Sequence, residues 1–270
     1  MIILAVSLIG LAAGSFINAL VWRLQQNKRA ELTIWRGRSM CPKCRHLLSP
    51  IDLIPVLSWL FLGGKCRYCK KNISVHYPIV ELVTALVFIS SYVWWPYHLG
   101  GWQVVIFGVW LILVVGLLAL LLYDLFWKIL PNKLIYPFSA VALVMAIINV
   151  VISNDPAKAL LNEFLAVIIG GGLFYVLFQV SSGKWIGGGD VKLGAMLGLI
   201  AATPGRSILM IFLASLMGSL LSLPLLLSRR LKRDSTIPFG PFLIVAIIVV
   251  QLFGHNILHW YQTAFFPYTV

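Results

Sequence analysis

The sequence predicts an all-α polytopic membrane protein of about eight transmembrane helices, with a small cytoplasmic loop domain organised by four cysteines. Two observations predict it. Of 270 residues, 60% are hydrophobic and only 11% charged, a mix that cannot clothe a soluble domain. The Lys and Arg residues also fall almost entirely into alternate connections between apolar runs long enough to cross about 30 Å of hydrocarbon.

Taken in order, the spans are read at 2–22, 78–95, 102–123, 134–152, 161–181, 189–204, 207–227 and 237–254. The first is not a signal peptide, because its basic residues follow the apolar stretch and none precedes it. The sixth is short and glycine-rich, so seven spans with a re-entrant segment is the alternative. Alternation from a cytoplasmic Arg23 places 23–77, 124–133, 182–188 and 228–236 inside and both termini outside. The first loop begins with Arg23, Lys28, Arg29, Arg36 and Arg38 and continues with Lys43, Arg45, Lys65, Arg67, Lys70 and Lys71. Lys128, Lys133, Lys184, Lys192, Arg229, Arg230, Lys232 and Arg233 join them, leaving only Lys158 and Arg206 of the 21 basic residues outside. The net charge of +13 therefore follows topology and contact with an anionic inner leaflet, and no nucleic-acid partner is expected.

The loop at 23–77 holds all four cysteines, as Cys41-Pro42-Lys43-Cys44 and Cys66-Arg67-Tyr68-Cys69. Two such knuckles can close a tetrahedral thiolate site, and the spacing is that of zinc ribbons. Arg45, Lys65, Arg67 and Lys70 nearby favour the thiolate form. A loop of this size has too little apolar content to fold alone, so a structural zinc on Cys41, Cys44, Cys66 and Cys69 is expected to supply much of its stability. Four sulfur ligands leave no open position for chemistry at the metal. The rivals are a redox pair, which needs a strand–helix context not evident here, and disulfides, which a reducing cytoplasm disfavours. His46 and His76 flank the loop and are candidates to join the metal site, but read first as surface residues.

Of eight acidic residues, Glu81, Asp124 and Asp190 are the ones read as lying in or at the ends of spans, where a carboxylate is costly and marks function. Asp124 closes the third span and Asp190 opens the sixth, within Gly187-Gly188-Gly189-Asp190-Val191-Lys192; both fall at the cytoplasmic face. Two facing carboxylates in poor solvent share one proton. One then activates water while the other polarises a carbonyl, which is aspartic protease chemistry. Gly187, Gly188 and Gly189 would admit a substrate backbone beside Asp190, with Lys192 close by.

The structural alternatives are a helix cap for Asp190 and a pair between Asp124 and Lys128; Gly170, Gly171 and Gly172 read as helix packing. Two other functions compete. An ion-coupled transporter would need polar groups across the bilayer, and the outer halves of the spans are read without an ionisable partner. A noncatalytic assembly scaffold accounts for the cysteines but not for Gly187–Asp190.

Several segments then follow one another in a fixed order: Gly14-Ser15-Phe16-Ile17-Asn18 through Arg23, Ser39-Met40-Cys41 through Cys69, Ile54-Pro55-Val56-Leu57-Ser58-Trp59-Leu60, Tyr77-Pro78-Ile79-Val80-Glu81-Leu82, Asp124, Gly187 through Lys192, and Ile237-Pro238-Phe239-Gly240-Pro241-Phe242. In these the chain resembles the prepilin peptidases, or type IV leader peptidases, membrane aspartic proteases that are also N-methyltransferases. The resemblance implies Asp124 and Asp190 as catalytic residues. It implies as substrates the precursors of type IV pilins or type II secretion pseudopilins, cut after the glycine that ends a short basic leader. It further implies methylation of the new N-terminus from S-adenosylmethionine, an activity that no glycine-rich methyl-donor signature announces.

The chain departs from the family where Ile-Pro-Asp is usual, reading Leu130-Pro131-Asn132, which puts in doubt any catalytic part for position 132. A basic leader meeting a basic loop needs compensation from Glu81, Asp52 or anionic lipid. Glu81 is also the candidate for holding the new ammonium, against a cap or a salt bridge to Lys71.

Overall fold

The computed structural model describes residues 1–26, 39–228 and 238–265. Lys28, Arg29, Arg36, Arg38, Arg229, Arg230, Lys232, Arg233 and Ile237 lie outside the described residues. Among those described the chain is helical, with no strand beyond two isolated bridges. It divides into two compact units, Met1–Val93 and Trp94–Val270.

In the first unit α1 (Ile2–Gln26) packs along α3 (His76–Val93). Two glycines bring the helix backbones together, because a Cβ at Gly10 would lie 2.7 Å from Ala85 Cα and one at Gly14 2.5 Å from Glu81 Cα. Between them come a 3-10 turn at Pro50–Leu53 and the single-turn helix α2 (Leu57–Phe61).

The second unit runs through α4 (Trp102–Trp127), α5 (Asn132–Ile152), α6 (Pro156–Val167), α7 (Leu173–Val180), α8 (Gly188–Ala201), α9 (Pro204–Leu227) and α10 (Gly240–Phe265). A π-helical turn at Ile168–Gly172 joins α6 to α7 into one span, Pro156–Val180. At that turn Gly170 and Gly171 take α8 against the backbone, a Cβ at Gly170 falling 2.6 Å from Gly194 O and one at Gly171 2.8 Å from Ala195 Cβ; these two glycines are a packing surface. The central helices are α4 and α10, the most buried of the spans.

Among the described residues seven helices are long and apolar enough to cross a membrane. On α9, Ile208, Phe212, Leu220 and Leu223 point outward, each more than half exposed, a surface suited to lipid rather than water. The sixth apolar run forms α8, helical but only 14 residues long, so it is the shortest of the eight segments read from the sequence.

Three differences from the sequence reading bear on the site. α4 runs past Asp124 to Trp127 and is closed by Lys128 in the left-handed conformation, φ 53°. The apolar Leu125-Phe126-Trp127 carry the helix on, which draws Asp124 a turn inward. Pro131 does not end that segment but caps the start of α5, with φ −74° and ψ 125°, an extended geometry proline adopts readily. Finally, Glu163, which falls within the span read at 161–181 but was not counted among its carboxylates, is 6% exposed, and neither of its carboxylate oxygens has a hydrogen-bond partner among the described residues.

Candidate active site

Asp124 stands in the last turn of α4, 4% exposed. Among the described residues its Oδ2 has no hydrogen-bond partner, an unusual state for a buried polar atom. Asp190 stands in the first turn of α8, half-buried, with Oδ2 accepting from Gly187 N–H at 3.2 Å. The helix-capping role is therefore real for Asp190, yet it uses one lone pair of one oxygen. The end of α4 and the first turns of α8 converge on Gly240, where a Cβ would meet both Asp124 Oδ2, at 2.5 Å, and Leu193 Cδ2, at 3.5 Å, so the fold brings the helix ends that carry the two sequence-predicted carboxylates together.

The surrounding backbone is fitted to this pair. The turn after α4 folds onto the glycine motif, where a Cβ at Gly189 would meet Leu130 Cβ at 3.0 Å. Gly187 and Gly188 are exposed, and a Cβ on either would meet nothing closer than 3.5 Å. Gly189 is thus the tightly packed one of the three, a Cβ there asking Leu130 to give by a few tenths of an ångström, while the other two leave the approach to Asp190 open. Lys192 Nζ donates to Asn132 Oδ1 at 2.9 Å and lies 5.5 Å from the Tyr136 ring centroid, tying α8 to α5 through the position where the Ile-Pro-Asp carboxylate is replaced. From the other side comes Gly240, the first residue of α10, where a Cβ would lie 2.5 Å from Asp124 Oδ2. Sequence reasoning placed Gly240 in a signature but assigned it no role.

The four cysteines form a separate centre. All are free thiols, and their sulfurs all lie within 4.8 Å of one another, with Cys41 and Cys69 at 3.9 Å. A tetrahedral zinc with Zn–S bonds of about 2.3 Å holds its sulfurs about 3.8 Å apart, so the cluster fits such an ion. The two knuckles are built alike. Arg45 N–H donates to Cys41 O at 2.9 Å and Lys70 N–H to Cys66 O at 3.0 Å; both residues adopt positive φ, 59° and 56°, and each knuckle closes in an antiparallel bridge, Met40 with Leu47 and Lys65 with Asn72. His46 lies against Tyr68 with the rings tilted by 34°, and His76 bonds Ser74; neither belongs to the sulfur cluster.

Two further carboxylates hold this loop. Glu81 Oε2 accepts from Val56 N–H at 2.7 Å, and Ser15 bonds the same carboxylate. Asp52 accepts from Ser49 N–H and Oγ, from Arg67 Nε at 2.6 Å and from Tyr68 Oη. Burial pushes the Asp52 carboxyl up, but those donors outweigh it and hold it down at about 2. Its stabilisation is therefore complete above the ordinary value of 3.8 and is lost only as pH falls toward about 2. Asp52, considered from sequence as a counter-charge for a basic leader, is spent inside the loop.

Comparison with known proteins matches the bacterial peptidase A24 N-terminal domain to residues 8–95 and the type IV leader peptidase family to residues 111–223. The prepilin leader peptidase/N-methyltransferase of Pseudomonas aeruginosa is 36% identical over 96% of this chain and 93% of its own length. The chain belongs to the type IV leader peptidase family. Proteins of the same description from Stutzerimonas stutzeri, 34% identical over 94% of this chain and 92% of theirs, and from Bacillus subtilis, 31% over 93% and 94%, agree with it. No solved structure matches the chain. The A24 N-terminal match takes in α1, the cysteine knuckles and α3, while the leader peptidase match takes in Asp124 and Asp190 but stops before Gly240.

Proposed function

We propose that the chain is a prepilin leader peptidase and N-methyltransferase of the bacterial inner membrane, cutting with the Asp124–Asp190 pair. The observation that carries the reading is the buried Asp124 Oδ2, without a hydrogen-bond partner among the described residues, at the meeting of the helix end that bears it with the α8 helix that Asp190 opens. With one proton between them, the ionised carboxylate takes a proton from water as its oxygen attacks the scissile carbonyl. The protonated partner gives its proton to the carbonyl oxygen; collapse then breaks the C–N bond, and the amine leaves protonated. Gly187 and Gly188 supply the open edge for the substrate backbone, while Lys192 holds α8 to α5 and so positions Asp190.

The substrate class is the precursor of type IV pilins or type II secretion pseudopilins, and the cut falls where the pilin's apolar helix meets its basic leader. Sidedness follows the basic loops: the four-cysteine region at 23–77 is cytoplasmic, the peptidase region from residue 78 onward spans the bilayer, both termini are extracytoplasmic, and anionic lipid meets the basic face.

Zinc is the ion that four thiolates at these separations select, and it would serve the loop's stability alone. One equivalent of metal per chain is expected. A Cys66→Ser, Cys69→Ser double variant loses it and loses methylation more than cleavage, because Asp124 and Asp190 belong to the other compact unit. Full metal retention in that variant, measured by elemental analysis, contradicts the assignment.

Methylation, with S-adenosylmethionine as donor, belongs in this reading to the first unit, on the concave surface that Trp22, Trp59, Tyr77 and Glu81 line. Glu81→Gln keeps an oxygen for Val56 N–H and removes only the charge. Mature but unmethylated product is therefore expected in mass spectra of its reactions; normal methylation there removes the Glu81 charge from the site.

A further inference from the structure

At the end of the helical unit away from Asp124 lies a second cavity, of about 510 Å³, within the range that takes small ligands. It is walled by the starts of α4 and α9, the ends of α5 and α8 and the last turns of α10, roughly 30 Å along α4 from Asp124 at 1.5 Å per residue. Its lining gathers polar side chains unusual for so apolar a chain, Tyr97, Gln103, Arg206, Gln251, His255 and His259, among apolar ones such as Ile106, Ile200 and Leu258. Polar and ionisable groups thus do occupy the half of the bundle that the sequence reading left without them.

Three features make it a built site. Among the described residues no Asp or Glu lines it, so none of their carboxylates meets the charge of Arg206 there; Arg206 Nη2 donates to Tyr97 Oη at 3.3 Å. The 24-residue helix α9 begins here, capped by Thr203, whose Oγ1 accepts from Arg206 N–H at 3.4 Å, which adds the positive end of a helix dipole. Gln251 is 5% exposed with its Oε1 unpartnered, and Gln103 Oε1 is likewise buried without a partner. Buried acceptors beside an uncompensated cation call for a ligand that carries both negative charge and hydrogen-bond donors.

We propose that this cavity binds a phosphate-bearing headgroup with its own donors, of the phosphoglycerol or phosphoethanolamine class. The phosphate sits on Arg206 and Tyr97, and the hydroxyl or ammonium on Gln251 and Gln103. The proposal is independent of the peptidase reading.

The test uses the full chain in detergent, with binding of phosphatidylglycerol, phosphatidylethanolamine and phosphate-free diacylglycerol read by native mass spectrometry and with soluble glycerol 3-phosphate as competitor. Both phospholipids are expected to bind well above diacylglycerol. Arg206→Gln is expected to weaken them about tenfold or more, as loss of a charge-assisted pair does, and Arg206→Lys to restore most of that. Gln251→Leu, which leaves the cation in place, is expected to weaken binding too, and stands in should Arg206→Gln fail to fold. Competition by glycerol 3-phosphate equal to that by lipid identifies a free phosphate ester as occupant; its failure to compete identifies a membrane headgroup. Equal phospholipid binding by wild type, Arg206→Gln and Gln251→Leu, or diacylglycerol binding as tight as that of the phospholipids, overturns the proposal.

Discussion

Asp124→Asn and Asp190→Asn each lower prepilin cleavage by about 10⁴-fold or more, and the double variant is scarcely worse than either single one. The amide keeps the shape of the carboxylate but neither takes a proton from water nor holds one for the carbonyl. Two groups sharing one proton work as a unit, so removing either removes the unit. The structure also separates the pair from trivial causes of failure. Asp124 Oδ2 carries no hydrogen bond that the substitution would break, and at Asp190 an amide oxygen still accepts from Gly187 N–H. Membrane insertion and thermal unfolding are therefore expected to stay near wild type in both single variants. Cleavage losses that multiply in the double variant would mean that the two residues act separately.

Gly240→Ala is expected to lower cleavage about 100-fold without unfolding the protein. Its Cβ would lie 2.5 Å from Asp124 Oδ2 and 3.5 Å from Leu193 Cδ2. What yields is the end of a short side chain rather than backbone, so the cost to folding is small, and Ala in place of Gly at a helix start offsets part of it. The carboxylate moves, and a misplacement of about 1 Å at a reacting group costs on the order of 10²-fold. Gly218→Ala on α9 is the control, since its Cβ would meet nothing nearer than Phe242 Cδ2 at 3.6 Å. Wild-type cleavage by Gly240→Ala, measured with a synthetic prepilin, would show that Gly240 does not set the position of Asp124.

The spans were legible because long apolar runs and one-sided basic loops are direct consequences of a hydrocarbon solvent, and the cysteine cluster because two Cys-x-x-Cys knuckles leave few geometries. What escaped depends on contacts between distant positions. Lys192 meets Asn132 across 60 residues, so position 132 reads from sequence as a lost carboxylate and from structure as a tether. Gly240 needs its neighbour Asp124 in view before its missing side chain means anything. The helix end at Lys128 rests on a positive φ at a lysine, which no composition rule expects, and because α4 has already closed there, Pro131 is left to cap the start of α5 rather than to end the segment before it. Glu163 lay within the span read at 161–181 yet was passed over, since no motif or second carboxylate beside it in the sequence points to a role, and the cavity at Arg206 was hidden by being assembled from five helices.

The central claim is that cleavage belongs to the Asp124–Asp190 pair and methylation to the first unit. It is tested most directly by incubating purified Asp124→Asn with methyl donor and either a prepilin or the same pilin already cut after its leader glycine, and weighing the products. The precursor is expected to emerge intact and unmethylated, while the pre-cut pilin gains one methyl group. A precursor cut by this variant at a rate near wild type would contradict the account.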